Sequence, residues 1–217
     1  MKKNLLFFFA GVLTTILVVV GVGYYYLQNK ISLSSGGDEN IRKIAEEGEK
    51  DAAKVKLTSV TAADFQQLIQ KNVGKPIIVD LWASWCKPCI REIPYLAQCR
   101  KEYQSDSLKL FLVSSDPQRT RQIEHAKEVL AGLHIDFETY VIDAPAKGFN
   151  PQMNIENANA FMATLTPNFA KEPGYPYTIY YDKKGNIAKE TIGFEADSTK
   201  IENSRQEVKN NILNILK

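Results

Sequence analysis

The longest run of apolar residues lies at the amino terminus, where residues 5–27 carry no charge. As an α-helix rising ~1.5 Å per residue, this run would span ~34 Å, enough to cross the hydrocarbon core of a bilayer. Lys2 and Lys3 precede it, and positive residues favour the cytoplasmic side of a membrane. We therefore expect residues 1–30 to be an uncleaved, single-pass anchor in the cytoplasmic membrane. The rest of the chain would lie on its outer, periplasmic or extracytoplasmic, side.

A cleaved signal peptide is the alternative to a retained anchor. Its apolar region would be ~7–15 residues long and would end at a small-x-small cleavage site. The run found here is longer and ends in Tyr24, Tyr25 and Tyr26, whose aromatic rings favour the headgroup layer of a membrane. The pattern therefore favours the anchor.

Residues 31–56 have the composition of a stalk or linker. The segment begins with a Ser, Gly and Asp cluster and continues with charged residues and helix formers. Its apolar residues, including Ile41, Ile44 and Ala45, are few. We expect a solvated helix or a flexible tether.

From residue 57 to 217 the apolar periodicity alternates between that of helices and that of strands. The run 76–82 is almost wholly apolar, which is typical of a central strand covered on both faces. The alternation predicts an α/β sandwich with a parallel core and an antiparallel final hairpin. The predicted helices span 61–72, 87–103, 117–130 and 199–217, and the predicted strands span 76–82, 108–115, 137–143 and a hairpin over 177–194.

Composition narrows the classes of function. The 27 Lys and Arg residues nearly balance the 25 Asp and Glu residues, so no basic patch favours nucleic acid as a partner. Three cysteines are too few for a disulfide scaffold. Two of them form a Cys-x-x-Cys pair, which indicates reactive cysteines rather than structural cross-links.

That pair is Cys86 and Cys89, within a segment that follows the strand 76–82 and begins a helix. The unpaired N–H groups at a helix amino terminus favour a thiolate, so Cys86 is the expected nucleophile. Lys87 adds a positive charge, and Pro88 fits the first helical turn. Cys89 lies one turn further on, where its sulfur can attack a mixed disulfide and release the substrate.

Two other uses of the cysteines fit less well. A zinc site needs about four ligands, and Cys99, His125 and His134 stand at no familiar spacing from the pair. Haem attachment needs a histidine after the second cysteine, and Ile90 stands there. We expect no metal and no cofactor, and we expect Cys99 to be a partly buried structural thiol.

The residues around the pair resemble a known family. The motif W-C-x-P-C-x-x-E-x-P resembles the active-site region of thioredoxin-fold proteins, and more narrowly of the exported TlpA/ResA-like thiol–disulfide oxidoreductases. A second resemblance is that of Tyr175-Pro176 and the strand after it to the family's cis-proline segment. The motif is met by Trp85, Cys86, Pro88, Cys89, Glu92 and Pro94.

The resemblance covers residues 57–217 and implies a thioredoxin-like α/β/α sandwich with a mixed central sheet. It implies a redox-active Cys86–Cys89 disulfide, with a cis Pro176 packed opposite Cys86. Trp85, Lys87, Pro88, Glu92 and Tyr175 would then tune the dithiol or line the substrate groove. The chain departs from the family at Tyr177, where Thr is common, and in a longer segment over 144–172. This insertion would contain a helix that either caps the groove or decorates the surface.

Two carboxylic acids have two interpretations each. Asp80 interrupts the apolar strand, so it is either an edge residue in water or a buried acid that moves a proton to or from Cys89. Glu92 either lies on a solvated helix face or tunes the dithiol.

The sequence therefore predicts a membrane-anchored reductase of disulfides in exported proteins, recharged by a membrane-embedded electron donor. The alternatives are an exported thioredoxin-fold copper-delivery protein, a disulfide oxidase or isomerase, and a non-catalytic interaction module. Two residues between the cysteines count against copper delivery, because such proteins usually have three. The intact W-C-x-P-C motif counts against a module without activity.

We predict that the mature chain keeps residues 5–27 and exposes the residues after Lys30 outside the membrane, because the uncharged run follows Lys2 and Lys3. Membrane fractionation followed by external protease should find a full-length membrane protein whose domain is digested. A soluble chain trimmed at its amino terminus would contradict this prediction.

Overall fold

A computed structural model of the chain describes residues 39–105, 107–143, 151–169, 171, 173–195 and 200–217. The predicted anchor and the first part of the predicted stalk lie outside the described residues, as do residues 144–150 of the predicted insertion. Within the described ranges, no helix has the length and apolar character needed to span a membrane.

In the described part of the chain, six strands form one mixed sheet with the order β1-β4-β3-β2-β5-β6. The first four strands in this order are parallel, and β5 and β6 are antiparallel to their neighbours. The predicted mixed sheet is confirmed, and β1 is an addition that the apolar pattern did not indicate. The strands are β1 Leu57–Val60, β2 Ile77–Trp82, β3 Lys109–Ser114, β4 Thr139–Ile142, β5 Tyr177–Tyr181 and β6 Ile187–Ile192.

Helices cover both faces of this sheet. α3, α4 and α6 pack on one face with α1, and α2 and α5 pack on the other. Thr61 caps α2 as its position predicts, because its hydroxyl accepts the N–H of Asp64 at 3.1 Å. The helices are α1 Glu39–Gly48, α2 Ala62–Lys71, α3 Lys87–Glu102, α4 Thr120–Gly132, α5 Pro151–Ala163 and α6 Ile201–Ile215, with a 3-10 helix over Glu49–Lys54 after α1.

The central strand β2 sets the position of the site. All six of its residues are buried, since β3 and β5 flank it and helices cover both faces. Side chains alternate across a strand, so Ile77 and Val79 join the core under α2, whereas Ile78 and Trp82 join the core under α3. By the same alternation Asp80 faces α3.

Helix α1 differs from the expected solvated stalk. Ile41 and Ala45 are buried in the same core as α4, and the described residues from Asn40 to Lys217 belong to one compact unit. Gly48 lies against the backbone of α4, where an added Cβ would stand 1.9 Å from the carbonyl oxygen of Glu128. The few apolar residues of this segment suffice to dock it because glycine allows the two backbones to approach closely.

The helical part of the predicted insertion belongs to the core. Phe161 and Met162 of α5 are buried beside Phe65 of α2, and the rings of Phe65 and Phe161 have centroids 5.4 Å apart. Gln66 also donates to the carbonyl oxygen of Thr164 at 2.7 Å. This part of the insertion therefore covers the face of the sheet under α2, and it is more than surface decoration.

Gly48→Ala tests the docking of α1. The φ of Gly48 is −79°, which alanine adopts readily, so without a clash the change would raise helix stability by about 0.5–1 kcal/mol. Because α1 and α4 must separate, we expect instead a loss of about 1–3 kcal/mol in the free energy of unfolding. Chemical denaturation measures it, with Glu47→Ala on the exposed side of α1 as the neutral control.

Candidate active site

Cys86 and Cys89 form a disulfide at the amino terminus of α3, with an S–S distance of 2.04 Å. Cys86 is the cap residue of this helix, and its Sγ accepts the backbone N–H of Cys89 at 3.3 Å. Cys86 is 4% exposed, whereas Cys89 is fully buried. Solvent and partners therefore reach the pair through Cys86, as a nucleophile followed by a resolving thiol requires.

The second side of the site is the predicted cis-proline segment. The Tyr175–Pro176 bond is cis, as the family resemblance implied. Pro176 directly precedes β5, and Tyr177 of β5 pairs with Leu81 near the end of β2. The two active-site segments therefore meet at one edge of the sheet.

Aromatic rings join these two segments. The rings of Trp85 and Tyr175 meet edge to face with centroids 5.4 Å apart, and Trp85 is 59% exposed. Lys87 is also exposed, and Pro88 is partly exposed in the first turn of α3. The exposed ring of Trp85, packed against the partly buried Tyr175, gives the site an accessible apolar surface beside a nearly buried disulfide.

Both carboxylic acids singled out from the sequence lie in the interior. Asp80 is fully buried and Glu92 is 1% exposed, so an edge position for Asp80 and a solvated face for Glu92 are both excluded. Burial raises the pKa of Asp80 to about 7. Burial also raises the pKa of Glu92 well above its usual range, and the nearby Asp80 carboxylate raises it further.

Thr178 joins the two acids, although neither the apolar pattern nor the motif had indicated it. It pairs with Asp80 across β2 and β5, so both side chains lie on the same face of the sheet. Its hydroxyl lies 3.3 Å from Oδ1 of Asp80 and 3.5 Å from Oε1 of Glu92. A polar residue two positions after Pro176, in an otherwise apolar strand, was the available signal.

Asp116 is a second residue of the site that neither the apolar pattern nor the motif had indicated. Its carboxylate accepts the backbone N–H and the hydroxyl of Ser84, both at 2.8 Å, and the hydroxyl of Ser114 at 2.7 Å. Burial raises the pKa of Asp116, and these hydrogen bonds oppose the rise. Because Ser84 stands two residues before Cys86, Asp116 holds the loop between β2 and the disulfide.

Cys99 lies on α3 as a buried free thiol, and burial raises its pKa. In the ranges that the structure describes, no group of three or more His, Cys, Asp or Glu side chains is placed to hold a metal ion.

The sheet order, the cis-proline and the dithiol at a helix start define a thioredoxin-like protein with a disulfide active site. A model of the family described as Redoxin matches residues 46–205, and the chain belongs to that family. Its relatives include a thioredoxin-like protein YneN from Bacillus subtilis, 29% identical over 133 residues, or 61% of this chain and 65% of that protein.

The thiol-disulfide oxidoreductase ResA of Bacillus subtilis is 25% identical over 115 residues, which are 52% of this chain and 56% of that protein. The chain thus spans less than two thirds of the length of these relatives. The resemblance to TlpA/ResA-like proteins is confirmed by the family and by ResA. A crystal structure of a putative thiol:disulfide interchange protein DsbE from Chlorobium tepidum has a TM-score of 0.48 and 19% identity, covering 69% of this chain and 85% of that one.

We predict that Cys86 alone is alkylated rapidly when the reduced protein meets iodoacetamide near pH 7. The start of α3 and the N–H of Cys89 both stabilise its thiolate, whereas Cys89 and Cys99 are buried. Peptide mass spectrometry against time measures the order of labelling. Equal rates at Cys86 and Cys99 would contradict the assignment of Cys86 as the nucleophile.

Proposed function

We propose that the protein is a thiol–disulfide oxidoreductase that reduces disulfides in exported proteins. The observation that carries this proposal is the Cys86–Cys89 disulfide at the start of α3, with Cys86 alone partly accessible and the cis Pro176 segment at the same sheet edge. The name of its relative ResA, a thiol-disulfide oxidoreductase, supports the same activity.

In the proposed cycle, the reduced Cys86 thiolate attacks one sulfur of a substrate disulfide. The substrate S–S bond breaks, and one substrate sulfur leaves as a thiolate that takes a proton. Cys89 then loses its proton and attacks Sγ of Cys86, which releases the second substrate thiol. Two electrons have passed to the substrate, and the Cys86–Cys89 disulfide of the structure is the product.

Asp80 is the proposed acceptor of the Cys89 proton. Its buried carboxyl has a pKa raised to about 7, so near neutral pH it exists in both forms and can take up or release a proton. Trp85 and Tyr175 would hold the substrate at the groove through their accessible aromatic surface. Lys87 and Pro88 would tune the dithiol from the first turn of α3.

The proposed setting is the outer side of the cytoplasmic membrane, with residues 1–30 as the anchor. A reductant there must be reduced again after each cycle, so it needs a dithiol donor embedded in the membrane. An anchor would hold the domain near that donor. The long uncharged run at residues 5–27 supports this part of the proposal.

Reduction of insulin by the purified protein, with dithiothreitol as the electron source, tests the activity. Cys86→Ser should abolish it, and Cys99→Ala should leave it nearly unchanged as the matched control. Cys89→Ser should trap substrates as mixed disulfides in cells, because the resolving step is blocked. Failure of the parent protein to reduce insulin or any trapped partner would overturn the proposal.

Asp80→Asn should slow the resolving step and remove the rise in rate as pH increases through about 7, where Asp80 ionises. Stopped-flow measurement between pH 6 and 9 follows the decay of a mixed disulfide formed at Cys86. A variant that exchanges at the parent rate over this range would exclude a proton transfer through Asp80.

The same variant should be more stable than the parent, with a defined dependence on pH. The pKa of Asp80 is about 7 when folded, against about 3.9 in an unfolded chain. Below pH ~4 Asp80 is protonated in both the folded and the unfolded chain, so its ionisation does not affect the free energy of unfolding. The destabilisation of the folded state grows as pH rises and levels off above about 7. We expect Asp80→Asn to raise the free energy of unfolding by about 2–4 kcal/mol above pH 7, with little gain near pH 4.

The proposed direction of reaction predicts a reducing potential. The reduction potentials of related dithiols run from about −270 mV in thioredoxin to about −120 mV in DsbA. Stronger stabilisation of the thiolate makes a dithiol more oxidising. Lys87 is exposed, so solvent screens its effect on Cys86. Equilibration with glutathione should give a potential below about −180 mV, and a higher value would indicate oxidase or isomerase activity.

A further inference from the structure

Asp80, Glu92 and Thr178 form a buried cluster with an unusual shortage of hydrogen bonds. None of the three is more than 1% exposed, and the Thr178 hydroxyl contacts both carboxyls, at 3.3 Å and 3.5 Å. Among the residues that the structure describes, no group forms a hydrogen bond with the other carboxyl oxygens, Oδ2 of Asp80 and Oε2 of Glu92. Within the described ranges, the two acids therefore share the hydroxyl of Thr178.

The protonation of the pair follows from what a hydroxyl can do. A threonine hydroxyl donates one hydrogen bond and can accept others. With both carboxyls ionised, it could satisfy only one of them, and two buried negative charges would repel each other. With one proton on the pair, the protonated acid donates to Thr178 while Thr178 donates to the ionised acid. A single shared proton therefore gives a continuous chain of hydrogen bonds.

The surroundings indicate which acid carries that proton. The residues paired with Asp80 on β3 and β5 are Leu112 and Thr178, and neither is a cation. Burial raises the pKa of Glu92 well above its usual range, the charge of Asp80 raises it further, and Glu207 of α6 adds a smaller effect in the same direction. Tyr180 of β5 also faces both acids, and its own pKa is raised, so it stays neutral.

We infer that Glu92, Thr178 and Asp80 hold one proton as a unit, with Glu92 protonated and donating to Thr178, and Thr178 donating to an ionised Asp80. Glu92 and Thr178 are then positioning residues that keep Asp80 ready to accept a proton. This inference rests on the proposed function for its use, because Cys89, one turn before Glu92 on α3, is the proton donor.

The unit of Glu92, Thr178 and Asp80 also keeps the buried charge constant during the transfer of a proton from Cys89. When Cys89 gives its proton to Asp80, one carboxylate is neutralised and one thiolate forms. The interior carries one negative charge before and after this step, because the proton on Glu92 does not move. A second ionised carboxylate would instead oppose the new thiolate.

Infrared spectroscopy of the oxidised protein tests the unit without catalysis. At pH ~9, with Asp80 ionised, the parent should show the carbonyl band of a buried protonated carboxylic acid. The band should disappear in Glu92→Gln and persist in Asp80→Asn. Its absence from the parent, or its loss in Asp80→Asn alone, would overturn the assignment of the proton to Glu92.

Two substitutions of Thr178 distinguish the effect of its hydroxyl group from the effect of its side-chain shape. Thr178→Val should shift the frequency of the Glu92 band and raise the midpoint at which Asp80 protonates by about one pH unit, because a hydrogen bond that lowers this pKa is lost. Thr178→Ser should restore both values, and thermal denaturation should show that both variants fold. Unchanged band and midpoint in Thr178→Val would overturn the role of Thr178.

The tests also separate this inference from the proposed function. If the bands behave as expected while insulin is not reduced, the proton unit stands and the reductase proposal fails. If insulin is reduced and the protonated band is absent, the reductase proposal stands and the unit is wrong.

Discussion

Complete coverage of β2 is the constraint on which the site depends. Neighbouring strands bond to both of its edges and helices cover both of its faces, so its end is the place where the chain returns to the surface. Cys86 lies just beyond that end, as the cap of α3. The proposed nucleophile Cys86 therefore lies at the accessible end of a rigid strand, 4% exposed, while Cys89, the proposed resolving thiol, is fully buried in the first turn of the helix.

Because β2 is covered on all sides, an ionised carboxyl group on this strand costs free energy of folding. An acid at position 80 is fully shielded from bulk solvent, and neither of the residues paired with it, Leu112 and Thr178, is a cation. Its neutral and ionised forms therefore come close in free energy near neutral pH, which is the condition for proton transfer. The expected destabilisation of the fold by Asp80 and its proposed role in proton transfer therefore have the same physical cause, the burial of a carboxyl group.

Local patterns in the sequence predicted the parts of this arrangement that local forces determine. The apolar run 76–82, the helix after Cys86 and the cap at Thr61 all depend on neighbours in sequence, and the structure confirms them. The cis bond before Pro176 needed the family resemblance, because most X–Pro bonds are trans.

The parts that were missed depend on tertiary contacts. Thr178 meets Glu92 across 86 residues of chain, and Ser84 meets Asp116 across 32, so neither pair leaves a periodic signal. The docking of α1 was missed for a related reason, since Gly48 acts through the absence of a side chain. Hydrophobic periodicity indicates which face of an element is buried, but it does not indicate which residues pack against that face.

A shared proton would also explain why two acids are kept where one would serve as a base. Alone, Asp80 would receive the hydrogen bond of Thr178 from a hydroxyl that is free to turn towards other acceptors. With a protonated Glu92 donating to the oxygen of Thr178, the hydroxyl hydrogen is directed towards Asp80. The second acid then contributes orientation rather than charge, and because it stays neutral it adds no repulsion against the thiolate forming at Cys89.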